Sequence, residues 1–237
     1  AEWISLFASV IAVRICWGKL PQFDWQRIKN REEFRNLLTL NSAIMIRTML
    51  LMTVLAGFTN ISATLGAVTL AANALMMKLF IFYAFVCDGF AIALETLAGR
   101  ALGRNDSSQL KRSLNLSLGW AVGAALAFIA LYLSSAEFIL GFLTEHQNVI
   151  QAATPYTYWL CGTLIIGGFA FVYDGFFYGL AKPRLLAQSM ILAMLGFIPF
   201  ALYAWHVQST HWLWAGFTIF LFIRGATLVY PARKACQ

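Results

Sequence analysis

Ala84-Phe85-Val86-Cys87-Asp88-Gly89-Phe90 and Ala170-Phe171-Val172-Tyr173-Asp174-Gly175-Phe176 are nearly the same seven residues written twice. Six of the seven positions match, and the second copy follows the first by 86 residues. Each copy sits inside a long apolar stretch, so each puts a carboxylate where water is scarce. An acid in the hydrocarbon of a bilayer costs at least ~2.5–3.5 kcal/mol on insertion scales. Two such acids in one local setting point to a transport pathway rather than to a packed core.

The surrounding composition agrees. The chain is 60% hydrophobic and 11% charged, whereas soluble domains carry roughly 25% charge. That balance makes it a polytopic, all-α membrane protein. The net charge of +7 would suit nucleic acid, but no basic stripe with interleaved aromatics marks a binding face. Most Lys and Arg lie instead in short segments between apolar spans, where they set topology. Cys16, Cys87, Cys161 and Cys236 form no C-x-x-C pair. They read as small packing residues rather than metal ligands. No metal and no cofactor are expected, and with no G-x-S-x-G, H-E-x-x-H or Walker loop the chain is not read as an enzyme. An ion gradient is the remaining energy source.

A span needs about 20 apolar residues. Six follow the opening apolar run Trp3 to Trp17, at 37–59, 67–99, 113–134, 153–181, 185–205 and 211–230. The run at the start has no preceding basic segment and no initiator Met, and is read as the end of an earlier helix in a longer protein. Thirteen basic residues fall in alternate connecting segments on one side of these spans and none on the other. By the positive-inside rule, 18–36 and the C-terminus are cytoplasmic. Segment 18–36, with Trp25, Ile28 and Phe34 among its charges, is either a linker carrying an interfacial helix or a plain solvated loop. Segment 136–151, apolar at Phe138, Ile139 and Phe142, suits a second surface helix. The domain division is then 1–36 and 37–237. Spans 67–99 and 153–181 run the same way, so the two Asp-Gly motifs are parallel copies.

Depth follows from the 1.5 Å rise per helical residue. Asp88 lies about 18 Å before Arg100, Asp174 about 12 Å before Lys182, Arg47 about 18 Å after Arg35 and Arg224 about 14 Å before Arg233. Two acids and two arginines therefore share a depth in four spans. Asp88 and Asp174 are the candidate ion-coupling residues, and Arg47 and Arg224 the charge-compensating ones. Either a carboxylate exchanges its proton or ion as access switches, or the pairs are fixed ties between helices. For Arg224 the default is a side chain that snorkels to the inner interface. Met45, Met49 and Met52 share a helix face and, with Phe171, are candidates for a chamber accepting varied apolar cations. Helix packing and lipid contact account for the same residues.

The stretch from Ala71-Ala72-Asn73-Ala74 through Asp88-Gly89-Phe90-Ala91-Ile92-Ala93 to Glu95-Thr96-Leu97-Ala98-Gly99-Arg100-Ala101-Leu102-Gly103-Arg104-Asn105-Asp106 resembles the eighth helix and following loop of the multidrug and toxic compound extrusion (MATE) family. Its Asp-Gly-Phe flavour is similar to the DinF-type branch. Tyr173-Asp174-Gly175-Phe176-Phe177-Tyr178-Gly179 resembles that branch's tenth helix.

The resemblance implies a twelve-helix antiporter of two six-helix lobes, of which this chain is the C-terminal lobe. It implies exchange of protons or sodium for small organic, cationic or amphipathic compounds. Asp174 would match the tenth-helix acid implicated in cation binding or coupling. Sodium-coupled members also use a seventh-helix acid; span 37–59 offers Asn41 and Arg47 instead, which favours protons. The partners implied are membrane lipid, the organic substrate, the coupling ion and the N-terminal lobe of the same polypeptide, with no nucleic acid. A lipid-linked precursor flippase of the same superfamily and a non-transporting scaffold subunit are the alternatives.

Overall fold

The computed structural model describes residues 2–17 and 31–236. Every regular element among them is helical. The helices are α1 (Glu2–Trp17), α2 (Arg31–Thr64), α3 (Ala67–Gly103), α4 (Ser107–Ser134), α5 (Ala136–Leu143), α6 (Gln147–Ala153), α7 (Thr157–Gly179), α8 (Pro183–Val207) and α9 (Thr210–Ala235). A single 3-10 turn, Thr154–Tyr156, joins α6 to α7.

Among the described residues, six stretches are long and apolar enough to cross a membrane: Asn41–Thr64, Ala67–Gly103, Ser107–Ser134, Gln147–Gly179, Pro183–Val207 and Thr210–Ala235. They correspond one for one to the six expected spans. Five of the helices extend further into polar sequence than hydropathy shows, while α7 is shorter than the expected 153–181 and is preceded by the 3-10 turn and α6.

The chain divides into two compact units, Ala1–Asn41 and Ser42–Gln237. The first holds α1, whose described side chains from Leu6 to Ile15 are all exposed. The expected linker helix around Trp25 and Ile28 lies outside the described residues. Everything below concerns the second unit.

Local chemistry sets the helix ends there. Gly66, at φ 113, separates α2 from α3 with a backbone that an L side chain resists. Asp106 caps α4 by accepting from the Gln109 N–H at 2.9 Å. Pro183 opens α8 at a position where its missing N–H costs nothing. Thr144 is extended and breaks the segment between α4 and α7, so two short helices, α5 and α6, replace the single surface helix expected over 136–151. Phe138 and Phe142 are exposed there, as expected of a surface helix.

Helices α3 and α7, which carry the two Asp-Gly motifs, pack directly on one another. Gly168 faces Tyr83, Gly175 faces Ala91 and Gly179 faces Glu95, in the same order along both helices. The two helices are therefore parallel. A Cβ at Gly175 would fall on the Ala91 carbonyl oxygen, so this crossing closes only with glycine.

Two apolar clusters fill the unit. One gathers Phe58, Phe80, Trp214 and Phe217 with the α6 residues Val149 and Ile150. The other gathers Leu94, Leu110, Phe177, Leu186 and Leu228, beside the basic connecting segments. In the first, Trp214 Nε1 donates to Asn73 Oδ1 at 3.0 Å, and Asn73 Nδ2 donates to Ser62 Oγ at 2.9 Å. Ser62 Oγ donates to the Phe58 carbonyl at 2.8 Å. This buried relay ties α2, α3 and α9 together with its polar groups paired.

Candidate functional site

Phe171, Asp174 and Tyr178 recur at helical spacing and share one face of α7. The carboxylate lies between the two rings. Asp174 is 4% exposed, and its Oδ2 accepts from Nη2 of Arg47 on α2 and from Nη2 of Arg224 on α9. Each guanidinium also uses a ring of the same face. Arg224 lies 5.2 Å from the Phe171 centroid and Arg47 lies 5.5 Å from that of Tyr178. One acid and two aromatics on α7 thus hold the cations of two other helices.

The placement of each arginine follows from its helix. On α2 the inward stripe is Ala43, Arg47, Val54, Phe58 and Ser62. On α9 it is Phe217, Leu221, Arg224 and Leu228. Both arginines therefore replace an apolar residue in an inward stripe: that of α9 packs on α7, whereas α2 reaches α7 through the long Arg47 side chain. The expectation that Arg224 snorkels is wrong: it is 1% exposed and held by Asp174. Its inward stripe was readable at the 3.6-residue period and outweighs its distance from the helix end.

Asp88 behaves differently from its copy. It is half-buried and makes no ion pair or hydrogen bond among the described residues. It remains within electrostatic reach of Arg224, Asp174 and Arg47. The site therefore holds two cations and two acids, but only Asp174 contacts the cations. Asp174 Oδ1 and the Nε atoms of Arg47 and Arg224 are buried without a hydrogen-bond partner. Unpaired polar atoms at this depth are costly.

The residues expected to form a chamber are not gathered in one place. Met45, Met49 and Met52 are more than half exposed, on the face of α2 opposite its inward stripe. Phe171 is half-buried instead, under Arg224 and 6.2 Å from Phe80. Tyr178, which the sequence reading did not single out, belongs to the site. Its spacing of four residues from Asp174 was the available signal.

The MatE family matches residues 43–203. The chain is 33% identical to the DNA damage-inducible protein F of Escherichia coli (strain K12), over 99% of this chain and 51% of that protein. It is 26% identical to Protein DETOXIFICATION 44, chloroplastic, of Arabidopsis thaliana, over 75% of this chain and 34% of that protein. Multidrug and toxin extrusion protein 1 of Homo sapiens is 33% identical over 38% of this chain and 16% of its own length. The chain spans about half or less of the length of these relatives.

Its fold matches, with a TM-score of 0.68 at 16% identity, a multidrug resistance MATE family transporter in an outward-facing conformation, over 82% of this chain and 43% of that one. An equal score comes from a MOP superfamily transporter of Pyrococcus furiosus Vc1, whose binding pocket is described as having reverse polarity. The family match and the Escherichia coli relative together fix the family, and the two solved structures show the same fold. The chain belongs to the MatE family of multidrug and toxic compound extrusion transporters.

Proposed function

We propose that residues 37–237 are the C-terminal six-helix lobe of a secondary active antiporter that exports toxic organic compounds in exchange for protons. Residues 1–36 are the end of the preceding helix and the cytoplasmic linker between lobes. The protein resides in the inner (plasma) membrane with its C-terminus in the cytoplasm. Its cargo is cationic or amphipathic.

One observation carries this reading: the buried Asp174 carboxylate is the common partner of Arg47 on α2 and Arg224 on α9. While charged, it holds two spans against a third. Once loaded with a proton, it no longer neutralises either guanidinium, and the two cations repel. The proton thus shifts the balance between two packings of α2 and α9, and cargo adds its own differential affinity. The membrane potential contributes about 2.3 kcal/mol per charge per 100 mV. Asp88, close by but unpaired, is the second loading position.

The test uses the full-length protein in sealed vesicles, with dye export driven by a pH gradient or by a sodium gradient. Export on the pH gradient alone, lost in Asp174→Asn at equal expression, is the expected result. Export on sodium alone would overturn the proton assignment, and wild-type export by the variant would reduce Asp174 to a structural tie.

The second reading, a lipid-linked precursor flippase, is favoured by one feature: two guanidiniums share a single contacting acid, which suits a pyrophosphate. Lipid translocation without dye efflux in the same vesicles would select it. Neither activity, under any gradient, would leave a membrane scaffold.

A further inference from the structure

A cavity of about 560 Å³ opens beside the basic connecting segments, between the start of α4 and the end of α9. Its walls include Ser108, Lys111, Arg112, Asn115, Leu116 and Cys236. Lys111 and Arg112 are exposed, and neither forms an ion pair among the described residues. The nearest acid in sequence, Asp106, spends its carboxylate on the Gln109 N–H. The cavity is therefore cationic, and no acid among the described residues lines it.

Its position decides what can answer it. Residues 108, 112, 116 and 120 recur every four residues and form one strip along α4. The strip begins with the Ser108 hydroxyl and the Arg112 guanidinium. It continues with Leu116 and Trp120, both more than half exposed although they lie within a membrane-length helix. Polar and cationic at the water boundary, apolar one to two turns deeper: that is the profile of a phospholipid standing against the helix. A soluble anion would use the first half of the strip and leave the second bare. Basic pockets between spanning helices hold anionic head groups by this chemistry.

We propose that this cavity binds the head group of an anionic glycerophospholipid, with the phosphate on Lys111 and Arg112 and an acyl chain along Leu116 and Trp120. The site shares no residue with the Asp174 cluster and stands whichever transport reading holds.

The test uses the full-length protein in mild detergent, with phosphatidylglycerol, phosphatidylcholine and inorganic phosphate as separate additions. Binding is read by native mass spectrometry and by thermal melting. Phosphatidylglycerol is expected to bind and to raise the melting temperature beyond phosphatidylcholine. K111Q/R112Q is expected to lose that preference, at roughly fivefold in affinity per charge removed. K111R/R112K is expected to keep it. Equal effects of the two lipids on the wild type would overturn the proposal. So would full preference in the glutamine variant, loss of preference in the charge-conserving variant, or an equal shift from inorganic phosphate. If the double variant fails to fold, K111Q and R112Q singly provide the same readings.

Discussion

Gly175 packs against the main chain of Ala91, with no room for a Cβ between them. That contact sets the distance between the two Asp-Gly helices and so the position of Asp174. Its counterpart in the first copy, Gly89, faces open space. The two glycines therefore predict opposite outcomes. Gly175→Ala should destabilise the full-length protein by about 1–3 kcal/mol through overpacking, while Gly89→Ala should leave its thermal melting unchanged. Equal shifts in the two variants would mean that the crossing is not as close as described.

Removing the Asp174 carboxylate outright leaves the buried Arg224 and the part-buried Arg47 facing each other unneutralised. Asp174→Ala is expected to cost about 3–5 kcal/mol, the penalty of breaking a buried ion pair from one side. Asp174→Asn keeps one oxygen acceptor but leaves both guanidiniums unneutralised, and should recover only part of that cost. Melting temperatures of the two variants in one detergent make the comparison, and a harmless alanine would remove the ion-pair cluster from the list of what holds α2 and α9 to α7.

The Trp214–Asn73–Ser62 relay makes a separate claim about stability. Trp214→Phe preserves most of the ring packing against Phe58, 5.2 Å away, but strands the Asn73 carbonyl. A loss of about 1–3 kcal/mol is expected for that unsatisfied buried acceptor. Restoring much of it by adding Asn73→Leu would show that the unpaired oxygen, rather than the smaller ring, carries the cost.

Cys236 lies just beyond the last span. Burial pushes its thiol up, and the Lys111 ammonium pulls it down by less. The thiolate is the reactive form. A raised value leaves less thiolate at mildly alkaline pH, so a variant retaining Cys236 alone should alkylate more slowly than free cysteine. Its rate should still be climbing at a pH where the free thiol has levelled off. Lys111→Gln removes the favourable cation and should slow the reaction further. A rate versus pH series with iodoacetamide reads both, and faster alkylation in the glutamine variant would place Lys111 away from Cys236.

Much of the fold was legible because membrane spans are a matter of length and hydropathy. The parallel run of the two Asp-Gly helices was also legible, from the alternation of basic segments. Helix ends were less so. The span expected from 113 begins as a helix at Ser107, because Ser107 to Arg112 are helical but polar; the Asp106 cap was the readable sign.

The site was half legible. Axial depth brought Asp174, Arg47 and Arg224 to one level, but depth says nothing about which face a side chain occupies. Nearly identical heptapeptides therefore gave Asp174 two arginine partners and Asp88 none among the described residues. What differs is the neighbours, since α9 packs its arginine stripe on α7 and α2 sends Arg47 to it, and those arginines lie 50 and 127 residues away in sequence.

The claim that loading Asp174 with a proton drives export is tested most directly by counting protons released when cargo binds. Adding a transported dye to the full-length protein in weakly buffered detergent solution should release protons from the wild type and few or none from Asp174→Asn, at matched dye occupancy. Equal release from both proteins would contradict a coupling role for this carboxylate.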